Sequence, residues 1–542
     1  MIKGFRQIAS LTAVSRIFGF IRDVAYSHFF GASALLDAWT IAFKIPNLAR
    51  RLFGEGAASA SLIPIYSEEL HKNPQQAKQL INTVVTVVFV ILAALVLIGE
   101  GIIWAYYKFF SSTGDTKLIL SLSSIMLPYM LFICLVAILA GILQVHRHFA
   151  TPAAAPIVLN IFIITSILLT GWAFKIKAEQ QVFFVALAVL IAGVAQIAIQ
   201  VPSLRSAAVS IRPGWQIRSE AFKKIIILMG PMILGLTVTQ INTLADDLIA
   251  WWFSSSAEKG TSFVLLGKEI LFPLQRGSVS HLYYSQRLYQ LPLGIFGISL
   301  ATAIFPVMSS YAAKKDLQGL CRTVSHGLRS AAFIAIPATI GLAAIARPLI
   351  AVAFEHGQFG KFRDDTNMVA LTLMFYSIGL CGYFAQQVLT RAFYSMQDSK
   401  TPMHSALIAV MANIALNLTL IWFLGTGGLA LSTAICSYVQ VVILIVFLRR
   451  TLLYKGAEAS IIDGLGLTLF KTITASLFMA GAILAAKWLS QGWPNIFKLL
   501  LIVPSAALAY FLGVRLLRTE MLFLLLGGSR NKGKSTNSSL ND

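Results

Sequence analysis

The sequence predicts an all-α polytopic membrane protein of about fourteen transmembrane helices, in two pseudo-repeated six-helix lobes followed by two more helices. Three observations predict it: charge is scarce, bilayer-length apolar runs recur from end to end, and the two halves carry matching motifs. Of the 542 residues, 57% are hydrophobic and 12% charged, and mean hydropathy is +0.77. A soluble domain carries roughly 25% charged residues, because a water-facing surface needs charge and a lipid-facing one forbids it.

A crossing helix needs about 20 mostly apolar residues. Such spans read near 6–30, 34–65, 80–106, 118–145, 153–174, 182–204, 221–253, 280–311, 323–354, 367–394, 402–424, 428–449, 465–489 and 497–518. The first two carry the most charge. Met1–Ser10 is too polar for the apolar core of a cleavable signal, and the first apolar stretch holds Arg16, Arg22 and Asp23. One alternating set of loops, with residues such as Lys72, Arg147, Arg212, Lys314, Lys400 and Arg449, is about twice as basic as the other, so these loops and both termini are expected in the cytoplasm. The opposite loop Ser254–Ser278 is long, with an apolar piece at Phe263–Leu266, and is expected on the outer leaflet.

The repeat is faint. Ser61-Leu-Ile-Pro64-Ile-Tyr-Ser resembles Ala303-Ile-Phe-Pro306-Val-Met-Ser, and Ala150-Thr-Pro152 followed by Asn160-Ile resembles Lys400-Thr-Pro402 followed by Asn413-Ile. From 64 to 306 is 242 residues and from 152 to 402 is 250, six spans in either case, so the copies share one topology. The expected divisions are a lobe at 1–212, a lobe at 213–455, two extra helices at 456–520 and a disordered cytoplasmic tail at 521–542, rich in Gly, Ser, Asn and Lys.

Net charge is +21, but no aromatic-basic module stands outside the apolar runs, so a nucleic-acid partner is excluded in favour of positive cytoplasmic loops. Cys134, Cys321, Cys381 and Cys436 form no CxxC and read as small packing residues. Walker A, HExxH and DDxxD-like runs are absent, which argues against direct ATP use and against an enzyme acting on polyprenyl phosphates.

Ionisable groups inside the spans are the functional signal, since each costs at least about 2.5 kcal/mol at mid-bilayer. The first two spans hold Arg16, Arg22, Asp23, Asp37, Lys44, Arg50, Arg51 and Glu55, and the eighth adds Arg287; six cations against three carboxylates leave +3. Such groups must face a wet cavity or each other, and a cationic cavity suits an anionic cargo, with arginine's fork matching phosphate or carboxylate. Asp37, Lys44 and Arg51 are spaced by seven, one face of a helix. Arg50 lies about 100° away, but Pro46 can kink the helix, so spacing leaves Arg50 and Arg51 open. A second polar set comprises Thr239, Asn242, Thr243 and Asp246 on one stripe, with Asn413, Asn417 and Thr433 elsewhere. It fits either a small hard cation such as Na⁺, a proton carrier, or hydrogen bonds between helices.

Ser15-Arg-Ile-Phe-Gly-Phe-Ile-Arg-Asp23, Phe30-Gly-Ala, Asp37-Ala, Phe43-Lys-Ile-Pro-Asn-Leu-Ala-Arg-Arg51 and Gly54-Glu-Gly-Ala resemble the N-terminal signature of the MurJ/MviN lipid II flippases. Gly277-Ser-Val-Ser280, Tyr284, Arg287-Leu and Leu291-Pro-Leu-Gly-Ile-Phe-Gly297 resemble that family's eighth-helix segment, and Phe393-Tyr-Ser-Met-Gln-Asp-Ser-Lys-Thr-Pro402 resembles the loop after its tenth helix. The resemblance implies the MOP exporter fold, with a central cavity between the lobes and a lipid-facing groove on the last two helices. It implies a transporter of the bacterial inner membrane that flips undecaprenyl-diphosphate-linked peptidoglycan precursor outward, rather than an enzyme. The alternatives are an exporter of another lipid-linked oligosaccharide and a polyprenyl-phosphate enzyme.

The implied partners are lipid II, membrane lipids and cell-wall synthesis proteins. No cofactor is implied beyond coupling to Na⁺ or protons. The family's substrate-binding residues fall on Arg16, Arg22, Asp37, Arg50 and Arg287, which favours Arg50 over Arg51, with Asp23, Asn47, Arg51 and Glu55 in support. The sodium site of some members falls on Asp246, Asn413, Asn417, Thr433 and the main-chain oxygen of Leu429. This sequence departs from some relatives at Asn417 and Gln286, where those have carboxylates, and in its longer Ser254–Ser278 loop.

Overall fold

The computed structural model describes residues 2–52, 57–110, 114–256, 259–265, 267–361 and 363–521, with the backbone alone at 2–9, 57–60, 230–232, 234–236, 239, 265 and 363. The chain forms two compact units, Met1–Tyr283 with Phe354–Asp365, and Tyr284–Ala353 with Thr366–Asp542.

The first unit begins with α1 (Ile2–Phe29), α2 (Ala34–Ala49), α3 (Ala57–Lys72) and α4 (Pro74–Phe109). Short polar residues start these helices where the backbone needs acceptors. Ser33 accepts from Leu36 N at the head of α2, and Asn73, followed by Pro74, accepts from Gln75 N and Gln76 N at the head of α4. Next come α5 (Gly114–Val145), α6 (Ala150–Leu168), α7 (Ala178–Ala198), α8 (Val201–Ser206) and α9 (Glu220–Trp252). Helix α2 packs on α5 and α9, and α1 packs on α6. The α2 helix contains Pro46 and passes into a wider π-type turn at residues 50–52, where Arg50 and Arg51 stand. Proline removes one helical hydrogen bond and crowds the preceding turn; of the span read over 34–65, residues 53–56 lie outside the described residues.

Among the described residues, the one strand ladder is a hairpin of β1 (Ser262–Leu265) and β2 (Lys268–Leu271), paired Ser262 to Leu271. It occupies the long loop after α9, and Gly267, at φ +76°, supplies the left-handed residue of its turn. Of the apolar piece read at 263–266, residues 263–265 therefore form a strand, and residue 266 lies outside the described residues.

The helix α10 (Ser278–Pro292) begins in the first unit and continues into the second. The second unit then holds α11 (Ile298–Ala313), α12 (Leu317–Phe354), α13 (Arg363–Ile378), α14 (Leu380–Ser395), α15 (Lys400–Leu424) and α16 (Thr426–Tyr454), apart from the 354–365 segment. Its core joins α11, α12, α14 and α16 through Met308, Val324, Phe384, Val388 and Leu444, all buried. The last two helices, α17 (Leu465–Leu489) and α18 (Asn495–Leu516), pack closely where Gly513 meets Ala475. They dock on α12, where Tyr510 Oη donates to Phe333 O (2.7 Å) and Arg329 donates to Thr468 Oγ1 (2.8 Å) and pairs with Glu520 (2.7 Å). The hydrogen bond from Arg329 holds the Glu520 carboxyl below the usual carboxylate range. Residues 522–542 of the tail lie outside the described residues.

Ten described helices, counted across short breaks, are long and apolar enough to cross a membrane, or eleven if the α13–α14 pair, bent by 41°, is one span. The other three spans read from sequence fall on α1, on α2 with α3, and on α9. The repeat is visible in the backbone. Arg147 after α5 and Gln397 after α14 both sit at left-handed φ, +61° and +62°, and the next residue closes the helix through His148 N to Leu143 O and Asp398 N to Phe393 O. Pro64 and Pro306 both lie inside helices.

Within the first unit, segment 354–365 clips onto the end of α1. Gln358 N donates to His28 O (2.8 Å), and His281 Nε2 lies 3.1 Å from Asp365. Two left-handed glycines permit this approach. A Cβ on Gly357 would meet His28 O at 2.3 Å, and one on Gly31 would meet the Gln358 backbone at 3.1 Å. Gly357→Ala is therefore expected to destabilise the protein by about 1–3 kcal/mol, read as a lower thermal midpoint in detergent. Gly101→Ala, where a Cβ meets nothing within 4 Å, should leave the midpoint unchanged or higher.

Candidate functional site

Helix α2 spaces three ionisable residues by seven, and the structure gives that whole row to packing within the first unit. Asp37 caps α10: its carboxylate accepts from Gly277 N (2.9 Å), Ser280 N (2.7 Å) and Ser280 Oγ (2.5 Å). Gly277 sits at φ +81°, and a Cβ there would fall 2.6 Å from Ala32 O, so only glycine lets α10 start this close to the head of α2. One heptad on, Lys44 pairs with buried Asp247 and donates to Thr243 O (2.7 Å) on α9. One heptad further, Arg51 donates to Gln240 Oε1 (2.9 Å). Moving seven residues forward on α2 is moving seven back on α9, the register of an antiparallel helix pair.

Arg50, which spacing could not separate from Arg51, leaves this seam. It is half-buried, Nε donates to Asn47 Oδ1 (3.4 Å), and its charge lies near Tyr129 and Cys134 of α5. Arg16 is exposed on α1. Arg22 is 8% exposed, and its guanidinium is held from several sides. Nε and an Nη donate to Asp23 Oδ1 (3.2 and 2.9 Å), the other Nη to Asn160 Oδ1 (3.0 Å), and the Tyr26 ring lies 5.6 Å away. Tyr283 Oη donates to the same Asp23 oxygen (2.6 Å) and lies 3.4 Å from Arg22. Sequence reasoning missed Gln240, Asp247 and Tyr283 as partners. For Asn160 a signal existed, since it is a polar residue inside an apolar helix and marks the repeat.

In the first unit, the cations Arg16, Arg22, Lys44, Arg50 and Arg51 stand against the buried carboxylates Asp23, Asp37, Asp246 and Asp247, five against four, so these groups keep +1. Glu55 lies outside the described residues. Arg287 belongs to the second unit and is half-buried, one turn after Tyr283 on α10.

The residues expected to hold a cation divide between the units. Asp246 is buried on α9, beside the ion-paired Asp247. On its stripe, the side chain of Thr239 lies outside the described residues. In the second unit, Asn417 Nδ2 donates to Asn413 Oδ1 (2.9 Å), Asn413 Nδ2 to Thr433 Oγ1 (3.2 Å), and Thr433 Oγ1 to Leu429 O (3.1 Å). One continuous chain thus gathers all four second-unit oxygen groups. Neutral hard oxygens of this kind fit Na⁺ in type. No cluster of three or more His, Cys, Asp or Glu able to hold a metal occurs among the described residues.

An all-helical membrane fold of two units, with cations set into apolar helices, belongs to the class of polytopic transporters. A family model described as lipid II flippase MurJ matches residues 26–504. A probable lipid II flippase MurJ of Vibrio cholerae is 33% identical over 510 residues, 90% of either chain. A lipid II flippase MurJ of Burkholderia cenocepacia is 29% identical over 465 residues, 84% of this chain and 85% of that one. The chain belongs to the MurJ lipid II flippase family and is a multi-pass inner-membrane protein. Its fold is similar to a solved lipid II flippase MurJ in an inward-closed conformation, with TM-score 0.75 and 24% identity over 96% of this chain and 99% of that one. A multidrug resistance MATE family transporter of the MOP superfamily shares the fold at TM-score 0.62 and 12% identity, over 84% of this chain and 99% of that one.

The Lys44–Asp247 pair sets up a double-mutant test. Removing one partner of a buried pair leaves the other charge uncompensated, at about 3–5 kcal/mol. Lys44→Met and Asp247→Leu singly are expected to lower the thermal midpoint, and the double variant to recover much of the loss.

Proposed function

We propose that this chain is a lipid II flippase, carrying the undecaprenyl-diphosphate-linked peptidoglycan precursor from the cytoplasmic to the outer leaflet by alternating access. Family membership supports the cargo, and the observation that carries the mechanism is the excess of arginine on α1 and α2. Arg16, Arg22 and Arg50 of the first unit bind the diphosphate, each through charge-assisted hydrogen bonds worth about 1.5–3 kcal/mol, and Arg287 of the second unit binds cargo in its own right. Asp23, Asn160 and Tyr283 hold the Arg22 guanidinium in one orientation before cargo arrives, so less side-chain freedom is lost on binding. Asn47 supports Arg50 in the same way.

Both termini lie in the cytoplasm, as the basic loops imply. The lipid tail stays in the bilayer while the head group crosses. Na⁺ at Asn413, Asn417, Thr433 and the Leu429 carbonyl of the second unit, or protonation of Asp246 in the first, couples the reset. Membrane potential adds about 2.3 kcal/mol per charge per 100 mV. Cell-wall synthesis proteins are the natural consumers of the exported head group.

Reconstitution with fluorescent lipid II tests the reading. Arg50→Ala is expected to slow flipping by about tenfold or more, whereas Arg51→Ala, which loses a contact to Gln240, should act chiefly on stability. Full flipping by the Arg22→Ala, Arg50→Ala, Arg287→Ala triple variant would refute the arginine grip.

A further inference from the structure

Where α16 ends and the chain turns toward α17, the second unit holds a cavity of about 80 Å³. Its wall includes Leu452, Ala457 and Ile461, all buried, and its charged lining is Arg449 and Glu458. These two groups share the cavity, yet among the described residues they form no ion pair with each other or with a third residue. Glu458 Oε2 takes only a long contact from Gln318 Nε2, at 3.5 Å. Here the cavity keeps a cation and an anion apart around a space of molecular size. A ligand carrying both charges satisfies both at once.

The location says which kind of ligand. Helix α16 is long and apolar enough to span the bilayer, and its last turns present Phe447, Leu453 and Tyr454 outward, Tyr454 at 94% exposure. A tyrosine at the end of a spanning helix marks the depth of the lipid headgroups. Arg450 and Lys455 are close in sequence to the lining residues and add positive potential, which draws phosphate.

We propose that this cavity binds the headgroup of a zwitterionic phospholipid bearing a primary amine, its phosphate on Arg449 and its ammonium on Glu458, with the acyl chains along the outward face of α16. A phosphoethanolamine headgroup has this chemistry. A phosphocholine headgroup has the charge but no N–H to donate to Glu458, and a phosphoglycerol headgroup has no cation at all.

Native mass spectrometry of the full chain tests this, with an equimolar mixture of phosphatidylethanolamine, phosphatidylcholine and phosphatidylglycerol of identical acyl chains. The wild-type protein is expected to retain phosphatidylethanolamine about fivefold over either competitor. Glu458→Gln should abolish that preference and raise phosphatidylglycerol retention, Arg449→Gln should reduce all three lipids, and Arg450→Gln should keep the preference. Equal retention of the three lipids by wild type, or an unchanged preference in Glu458→Gln, overturns the proposal. Displacement of the lipid by soluble phosphoethanolamine at equal concentration overturns the lipid as the source of the headgroup. Both exposed positions tolerate substitution, and an unchanged thermal midpoint in each variant checks it. The inference rests on membrane embedding and not on the cargo, so lipid retention and lipid II flipping fail separately.

Discussion

A charge removed from water must be met by another charge, by a full set of hydrogen bonds, or by water inside the protein. That constraint organises the first unit. Helix α2 brings an ionisable residue into the apolar layer at each second turn, and each finds a matched group on α9 or α10: the Asp37 cap, the Lys44–Asp247 pair and the Arg51–Gln240 hydrogen bond. Apolar contacts between helices gain little specificity in lipid, where tails offer the same surroundings, so polar contacts of fixed spacing set the register. The seam therefore fixes how α2 lies along α9, and with it the direction in which Arg50 leaves the helix.

Two kinds of cation result from one short stretch of sequence. Lys44 and Arg51 serve the packing of α2. Arg22 is rigid, tied to Asp23, Asn160 and Tyr283. Its pairing with Asp23 lowers the local net charge but aligns the guanidinium fork, and orientation governs recognition of a diphosphate as much as charge does. The five cations outnumber the buried carboxylates Asp23, Asp37, Asp246 and Asp247 of the first unit by one.

The spans, the pseudo-repeat and the concentration of charge on α1 and α2 were legible in the sequence because each is a property of consecutive residues. Hydropathy and spacing need no partner to be read. The partners were not legible. Asp247 lies about two hundred residues from Lys44, and nothing local says that the Asp246-Asp247 pair divides, one carboxylate to the seam and the other to the polar stripe. Spacing put Arg50 and Arg51 on different faces without saying which face was occupied, and only the structure shows Arg51 donating to Gln240. The hairpin was hidden in a short apolar run that fits a strand or a helix equally well. The choice of Arg50 came from the resemblance to flippases and not from spacing.

The two halves also show how duplicated positions part company. Asn160 on α6 and Asn413 on α15 follow the same Thr-Pro motif, and both are buried in apolar helices. In the first unit the asparagine oxygen accepts from Arg22, so the position supports a cation of the protein itself. In the second the asparagine accepts from Asn417 and donates to Thr433, within a chain of neutral oxygens that carries no charge. An amide offers both a donor and an acceptor, so one residue type serves either environment and its neighbours decide which. An arginine near Asn160 turns that amide's oxygen to a guanidinium. A threonine and a second asparagine near Asn413 leave oxygen dipoles that favour a small cation. From one repeated plan, the two units place a guanidinium beside the first asparagine and only neutral polar groups beside the second.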